Sequence, residues 1–167
     1  MLEPSRFPEF SGGPLCDHLL MPGRNVTFRR DYVAAPDDID ELGHVNNAVW
    51  VRWIQEIAVA HWKAVAPAEH QAAYFWVVTR HEVDYRGNVG PGETVTGETW
   101  VADAPKGARF DRHVRFLSAD GRAKVEAVTT WAMLDRATGR LVRVRPKVAR
   151  PFLEAPLPPG EEGTRSA

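Results

Sequence analysis

Pro36-Asp37-Asp38-Ile39-Asp40-Glu41-Leu42-Gly43-His44-Val45-Asn46-Asn47 passes without a break into Ala48-Val49-Trp50-Val51-Arg52-Trp53-Ile54 and on to Val65. The second part reads as a helix by its period. Trp50, Ile54, Ile57, His61 and Ala64 fall on one stripe, widened by Val49, Trp53, Ala58 and Val59, while Arg52, Glu56 and Lys63 gather elsewhere on the cylinder. Asn46 or Asn47 is the expected N-cap, because a short amide accepts a bond from first-turn N–H groups that have no partner within the helix. The stretch therefore delivers polar chemistry to the N-terminus of a long apolar helix. Such a helix has to be wrapped, and the rest of the chain offers mainly strands.

Working outward, a first strand is expected over residues 25–33, with Val26, Phe28, Arg30 and Tyr32 on one side. After the helix, a loop near 67–71 leads to five strand-like runs whose spacing suggests a meander: 74–85, 93–102, 109–118, 123–135 and 141–148. Gly90-Pro91-Gly92, Lys106-Gly107 and Thr138-Gly139 punctuate them. Asp120-Gly121 suits the positive φ angles of a tight hairpin between the third and fourth runs. On the fourth run Val125, Ala127, Thr129, Trp131 and Met133 share a face, and its small members allow a helix close approach. The class is α+β: one long helix lying across a curved antiparallel sheet.

At 167 residues the chain suits one core. Residues 1–23 read as an irregular N-terminal arm, 24–150 as the domain, and 151–167, rich in proline, as a loose C-terminal tail. A net charge of -1 gives no global basic field, which argues against nucleic acid or an anionic membrane as partner. The single cysteine, Cys16, makes no intrachain disulfide and no multi-thiolate metal site, so a cytoplasmic location is expected. Prolines interrupt the N-terminal segment where a signal peptide needs an apolar core.

The segment from Asp38 to Asn47, followed by Trp50, Trp53 and Glu56, resembles the signature of hotdog-fold acyl-CoA thioesterases, the 4-hydroxybenzoyl-CoA thioesterase-like family. The likeness extends over 26–146, through Val83-Asp84-Tyr85, Gly90-Pro91-Gly92-Glu93 and Asp120-Gly121. It implies an antiparallel sheet wrapped around one central helix, and hydrolysis of an acyl-CoA to free acid and CoA. In that family the second aspartate of Asp-x-Asp-x-x-Gly is catalytic, which falls on Asp40. Asp40 would act as nucleophile or general base, with helix-start N–H groups near Asn47 as oxyanion donors.

Gly43-His44-Val45-Asn46-Asn47 also resembles plant-type acyl-carrier-protein thioesterases, in which a histidine at the His44 position joins the site. Those enzymes have an asparagine where this chain has Leu42, so only His44 is carried over. A helix-glutamate class would use Glu56, about 13 Å along the helix from Asn47 and away from the donors. Pairing with Arg52 one turn earlier is the better reading of Glu56.

Gly43, Val45, Asn46 and Trp50 are expected to contact substrate, with Lys106 and Arg109 as candidates for the phosphates of CoA. His61 reads as a packed residue, no metal site is indicated and no cofactor is expected. The Asp-x-Asn-Pro-x-His type of hydratase motif is absent, whereas a non-catalytic acyl-CoA binding module, or an acyl-carrier-protein thioesterase, remains as the alternative. The surplus of apolar faces on run 74–85 calls for a second copy, in a homodimer or homotetramer.

Overall fold

The structure, a computed structural model, describes residues 27–153. Five antiparallel strands form one sheet: β1 (Phe28–Val33), β2 (Tyr74–Tyr85), β3 (Thr94–Trp100), β4 (Arg109–Leu117) and β5 (Ala123–Asp135), in the order β1-β3-β4-β5-β2. Among the described residues three α-helices accompany them, α1 (Asn47–Val65), α2 (Ala68–Ala73) and α3 (Pro146–Leu153), with a 3-10 turn at Pro36–Asp38. The sheet wraps around α1 in the hotdog arrangement.

Only β3, β4 and β5 form a meander; β2 crosses to the far edge and pairs with β5 alone. The expected strand over 141–148 does not form. Leu141 makes an isolated bridge to Leu134, and α3 then starts at Pro146, where a missing N–H costs nothing. Val148, Ala149 and Phe152 recur at helical spacing and are all buried, so burial on one face decides for a helix. Residues 151–153, expected in the tail, complete this helix. The loop expected near 67–71 is α2, whose Gln71 Nε2 donates to the carbonyls of Lys63 and Ala66 and so closes the end of α1. The N-terminal arm, Asn25 and Val26 of the expected first strand, and tail residues beyond 153 lie outside the described residues.

Asn46 is the N-cap of α1, its Oδ1 accepting from Ala48 N at 2.9 Å. The helix buries Val49, Trp50, Trp53, Ile54, Ile57, Ala58 and His61. These pack on the inner sheet face, where Ala127 and Thr129 are fully buried as their size suggests. Gly97 on β3 lets the helix approach closely, because a Cβ there would lie 2.9 Å from Ile57 Cδ1 and 3.0 Å from Phe116. Tyr32, Trp50, Trp53 and Phe116 form one aromatic cluster at the start of α1. Phe110, Met133, Val144, Val148 and Phe152 form a second under its far end. Each buried side chain of this size contributes about 1.5–3 kcal/mol of hydrophobic stabilisation.

The hairpin at Asp120-Gly121 is present, with Gly121 at φ 80° and Asp120 Oδ1 accepting from Arg122 N and Ser118 Oγ. These bonds hold the Asp120 carboxyl below the usual carboxylate range. No helix among the described residues is long and apolar enough to cross a membrane.

Candidate active site

The loop before α1 is a small closed structure of its own. Ile39 and Val45 bridge in antiparallel fashion, Asp40 and His44 exchange backbone contact through Asp40 N and His44 O at 2.8 Å, and Gly43 turns the chain at φ 79°. Val45 N then donates to Val89 O and Asn46 N to Asp38 O, both at 2.9 Å, which fixes the loop to the body.

Within it the two aspartates of the motif have different work. Asp38 is buried, and both its oxygens are engaged: Oδ1 with Arg52 Nη2 at 2.6 Å, Oδ2 with Ala35 N at 3.1 Å. This bond is the main cause of the raised Arg52 pKa. Arg52 also reaches Glu56 at 3.6 Å, the pairing expected from sequence, but Asp38 is its closer partner. Asp40 is half-buried. Its Oδ1 accepts from Leu42 N at 2.9 Å and His44 N at 3.3 Å, while Oδ2 has no hydrogen-bond partner among the described residues. One free carboxylate oxygen thus stands on a fixed loop.

The same loop ends at the first turn of α1. Ala48 N is taken by the cap and Val49 N by Asn46 O, whereas Asn47 N–H precedes any possible intrahelical acceptor. Asn47 O faces Tyr85 Oη at 3.5 Å, which ties this end of α1 to the end of β2. Asp40, Gly43, His44, Asn46 and Asn47 are therefore brought together, with Gly43, Asn46 and Asn47 exposed.

Val45 and Trp50 are placed otherwise. They are 4% and 2% exposed and pack into the first core cluster, so within one chain they support the loop and do not face solvent. Lys106 and Arg109 are also apart from Asp40. Arg109 pairs with Ala132, whose other neighbour is Val77, whereas the Asn47 end lies by Tyr85 and Val125. Seven residues of β5 separate the two ends, roughly 23 Å.

A cavity of about 290 Å³ opens at that other end, beneath the last turns of α1, lined by Trp62, Trp76, Phe110, Arg112, Trp131 and Phe152 among others. Trp62 is about 22 Å along α1 from Asn47. Arg112 was not singled out from sequence. The available signal was its place in the row Phe110, Arg112, Val114, Phe116, an arginine among residues that alternate onto the apolar face of β4. Among the described residues no three of His, Cys, Asp and Glu gather in a way that suits a metal ion.

A family model for the thioesterase-like superfamily matches residues 34–152, most of the described chain. The protein belongs to the thioesterase-like superfamily. No curated protein matches it. Among solved structures it is similar to a putative oleoyl thioesterase from Lactobacillus plantarum, with a TM-score of 0.69 and 16% identity over 86% of this chain and 59% of that one. An acyl-ACP thioesterase from Bacteroides thetaiotaomicron gives a TM-score of 0.67 and 20% identity over 83% of this chain and 58% of that one. A thioesterase from Thermus thermophilus complexed with coenzyme A and Zn gives 0.64 and 20% over 74% and 90%. This superfamily member thus spans under two thirds of the first and second of these relatives, and at such identities the likeness is one of fold.

Proposed function

We propose that the protein hydrolyses an acyl-CoA thioester to the free acid and CoA, with Asp40 as the reacting carboxylate. The observation that carries this reading is the division of labour in the loop. Asp38 has both oxygens occupied by Arg52 and Ala35, while Asp40 Oδ2 has no partner among the described residues, on the loop that leads into the first turn of α1 at Asn47. As general base, Asp40 takes a proton from water as the water oxygen bonds to the thioester carbon. The carbonyl electrons move onto oxygen, and Asn47 N–H stabilises the oxyanion; the C–S bond then breaks and the departing thiolate takes up the proton. As nucleophile, Asp40 Oδ2 attacks the same carbon and expels CoA as the thiolate; water then hydrolyses the mixed anhydride to the free acid and the Asp40 carboxylate, and the proton released goes to the thiolate. One oxyanion donor is typically worth about 3–4 kcal/mol.

The site is completed by a second copy of the chain. β2 is an edge strand, with Val77 and Tyr85 38% and 45% exposed, and Leu42 of the motif loop is 75% exposed. Antiparallel pairing of two β2 edges satisfies their open backbone groups. It sets the Tyr85 end of one copy beside the Tyr74 end of the other, and so brings Lys106 and Arg109 of one towards Asp40 of the other, where CoA phosphates need cations.

A free-thiol release screen over short, long and aromatic acyl-CoA substrates, with an acyl-carrier-protein thioester included, tests the reading. Release from CoA thioesters is expected. Preference for the carrier-protein thioester would change the substrate, and acyl-CoA binding with no release from any thioester would overturn hydrolysis in favour of a binding module.

A further inference from the structure

Arg112 points from β4 into the interior of the fold, 7% exposed, and no carboxylate among the described residues pairs with it. Its hydrogen bonds both run through Nη1, to His61 Nδ1 at 2.8 Å and Thr99 Oγ1 at 3.1 Å, and neither partner is anionic. Thr99 Oγ1 in turn donates to His113 O. Burial and the adjacent guanidinium push the His61 pKa down to about 3, so the imidazole is neutral and accepts from Arg112. A buried cation with no anionic partner among the described residues is costly.

Arg112 lines the cavity beneath the last turns of α1. Its charged lining consists of Lys63, Arg112 and Arg136, all cations, with no Asp or Glu among the described lining residues. Trp76 and Trp131 also line it, and their buried indole N–H groups have no acceptor among the described residues. Both buried lining atoms that lack a partner among the described residues are therefore donors. The rest is apolar and aromatic, and 290 Å³ lies near the lower end of the range for small-molecule sites.

We propose that this cavity binds a carboxylate carried on a ring-sized apolar body, and that Arg112 holds the carboxylate. Guanidinium and carboxylate match in geometry as well as charge, and the ligand supplies the anionic acceptor that the described residues lack. Two sources have this chemistry: a free carboxylic acid, which is the product class of the proposed hydrolysis, and the far carboxylate of a dicarboxylic acyl group still joined to CoA. The second source rests on the proposed function and on its pairing of two chains, because within one chain the cavity lies about 22 Å along α1 from Asn47, beyond the reach of such an acyl group; the first stands on the cavity alone.

Calorimetric titration of the full chain with 3-phenylpropionate and with 3-phenylpropionamide tests the site without any variant. The acid is expected to bind at least about tenfold more tightly than the neutral amide. In Arg112→Met the difference should disappear, with the circular dichroism spectrum unchanged; if that variant does not fold, the acid–amide comparison on the wild type decides by itself. Equal affinity for acid and amide, or no binding of either at millimolar concentration, overturns the proposal. Thiol release from adipoyl-CoA and from its terminal methyl ester separates the sources. Preferred cleavage of the free carboxylate assigns Arg112 to the acyl group, and acid binding without that preference assigns it to the free acid. Absence of release from every thioester would overturn the proposed hydrolysis and leave the binding result standing.

Discussion

At Asp40 the loop holds Oδ1 with two backbone N–H groups, so the side-chain direction is set locally and an amide can keep it. Asp40→Asn should therefore unfold within about 0.5 kcal/mol of wild type while thiol release falls on the order of a hundredfold or more, because the amide lacks basicity and charge. Unchanged turnover in the folded variant would remove Asp40 from the mechanism. His44 presents a cleaner division. Its backbone is tied to Asp40, but its half-buried side chain has no hydrogen bond among the described residues. His44→Ala is expected to lower turnover on the order of a hundredfold with an unchanged unfolding temperature. A normal rate with reduced stability would make the imidazole structural.

At the scale of elements, α3 is where period and burial disagree with a strand reading. Phe152 stacks on Trp62 at 5.7 Å and 7°, and meets Phe110 edge-on at 6.5 Å. Phe152→Ala should cost about 3–5 kcal/mol in denaturant unfolding, and a loss under about 1 kcal/mol would show that α3 does not close the second core cluster. The α1 helix was legible because its stripe is long and its cap chemistry is local. The β4–β5 hairpin was legible because Asp-Gly sits between two alternating runs. The course of β2 was not, since strand order is set by which faces α1 covers after it crosses the sheet, and spacing along the chain does not encode that. His61 was read correctly as packed, while its partner Arg112 lies 51 residues away and was invisible to local pattern.

For the whole molecule, that pair sets a pH response. The folded His61 pKa is depressed to about 3 from the ordinary 6.5, so between these values the unfolded chain binds the extra proton. Stability present above pH 6.5 is therefore lost as pH falls, at up to about 1.4 kcal/mol per pH unit from this residue. In His61→Gln, which keeps an acceptor for Arg112 but does not titrate, the unfolding free energy should fall less steeply between pH 6.5 and 4; an unaltered slope would mean that other groups govern acid unfolding. Assembly belongs to this scale too. Light scattering at micromolar concentration is expected to give at least twice the chain mass, and a monomer that still releases thiol would require the complete site within one chain.

The motif loop, its cap, the long helix and the hairpin follow from the sequence alone, because each depends on contacts within a few residues: Asn46 with Ala48, Asp40 with Leu42 and His44, Asp120 with Arg122. The superfamily resemblance rests on the same local stretch. Tertiary structure decided the rest. It buried Val45 and Trp50 in the core, set Lys106 and Arg109 at the end of the sheet opposite Asp40, and closed Asp38 onto Arg52. It also put Arg112, which has no counter-ion among the described residues, into a cavity lined by three tryptophans. Side-chain burial and charge pairing depend on which distant strands become neighbours, and that is fixed only when the sheet closes around the helix.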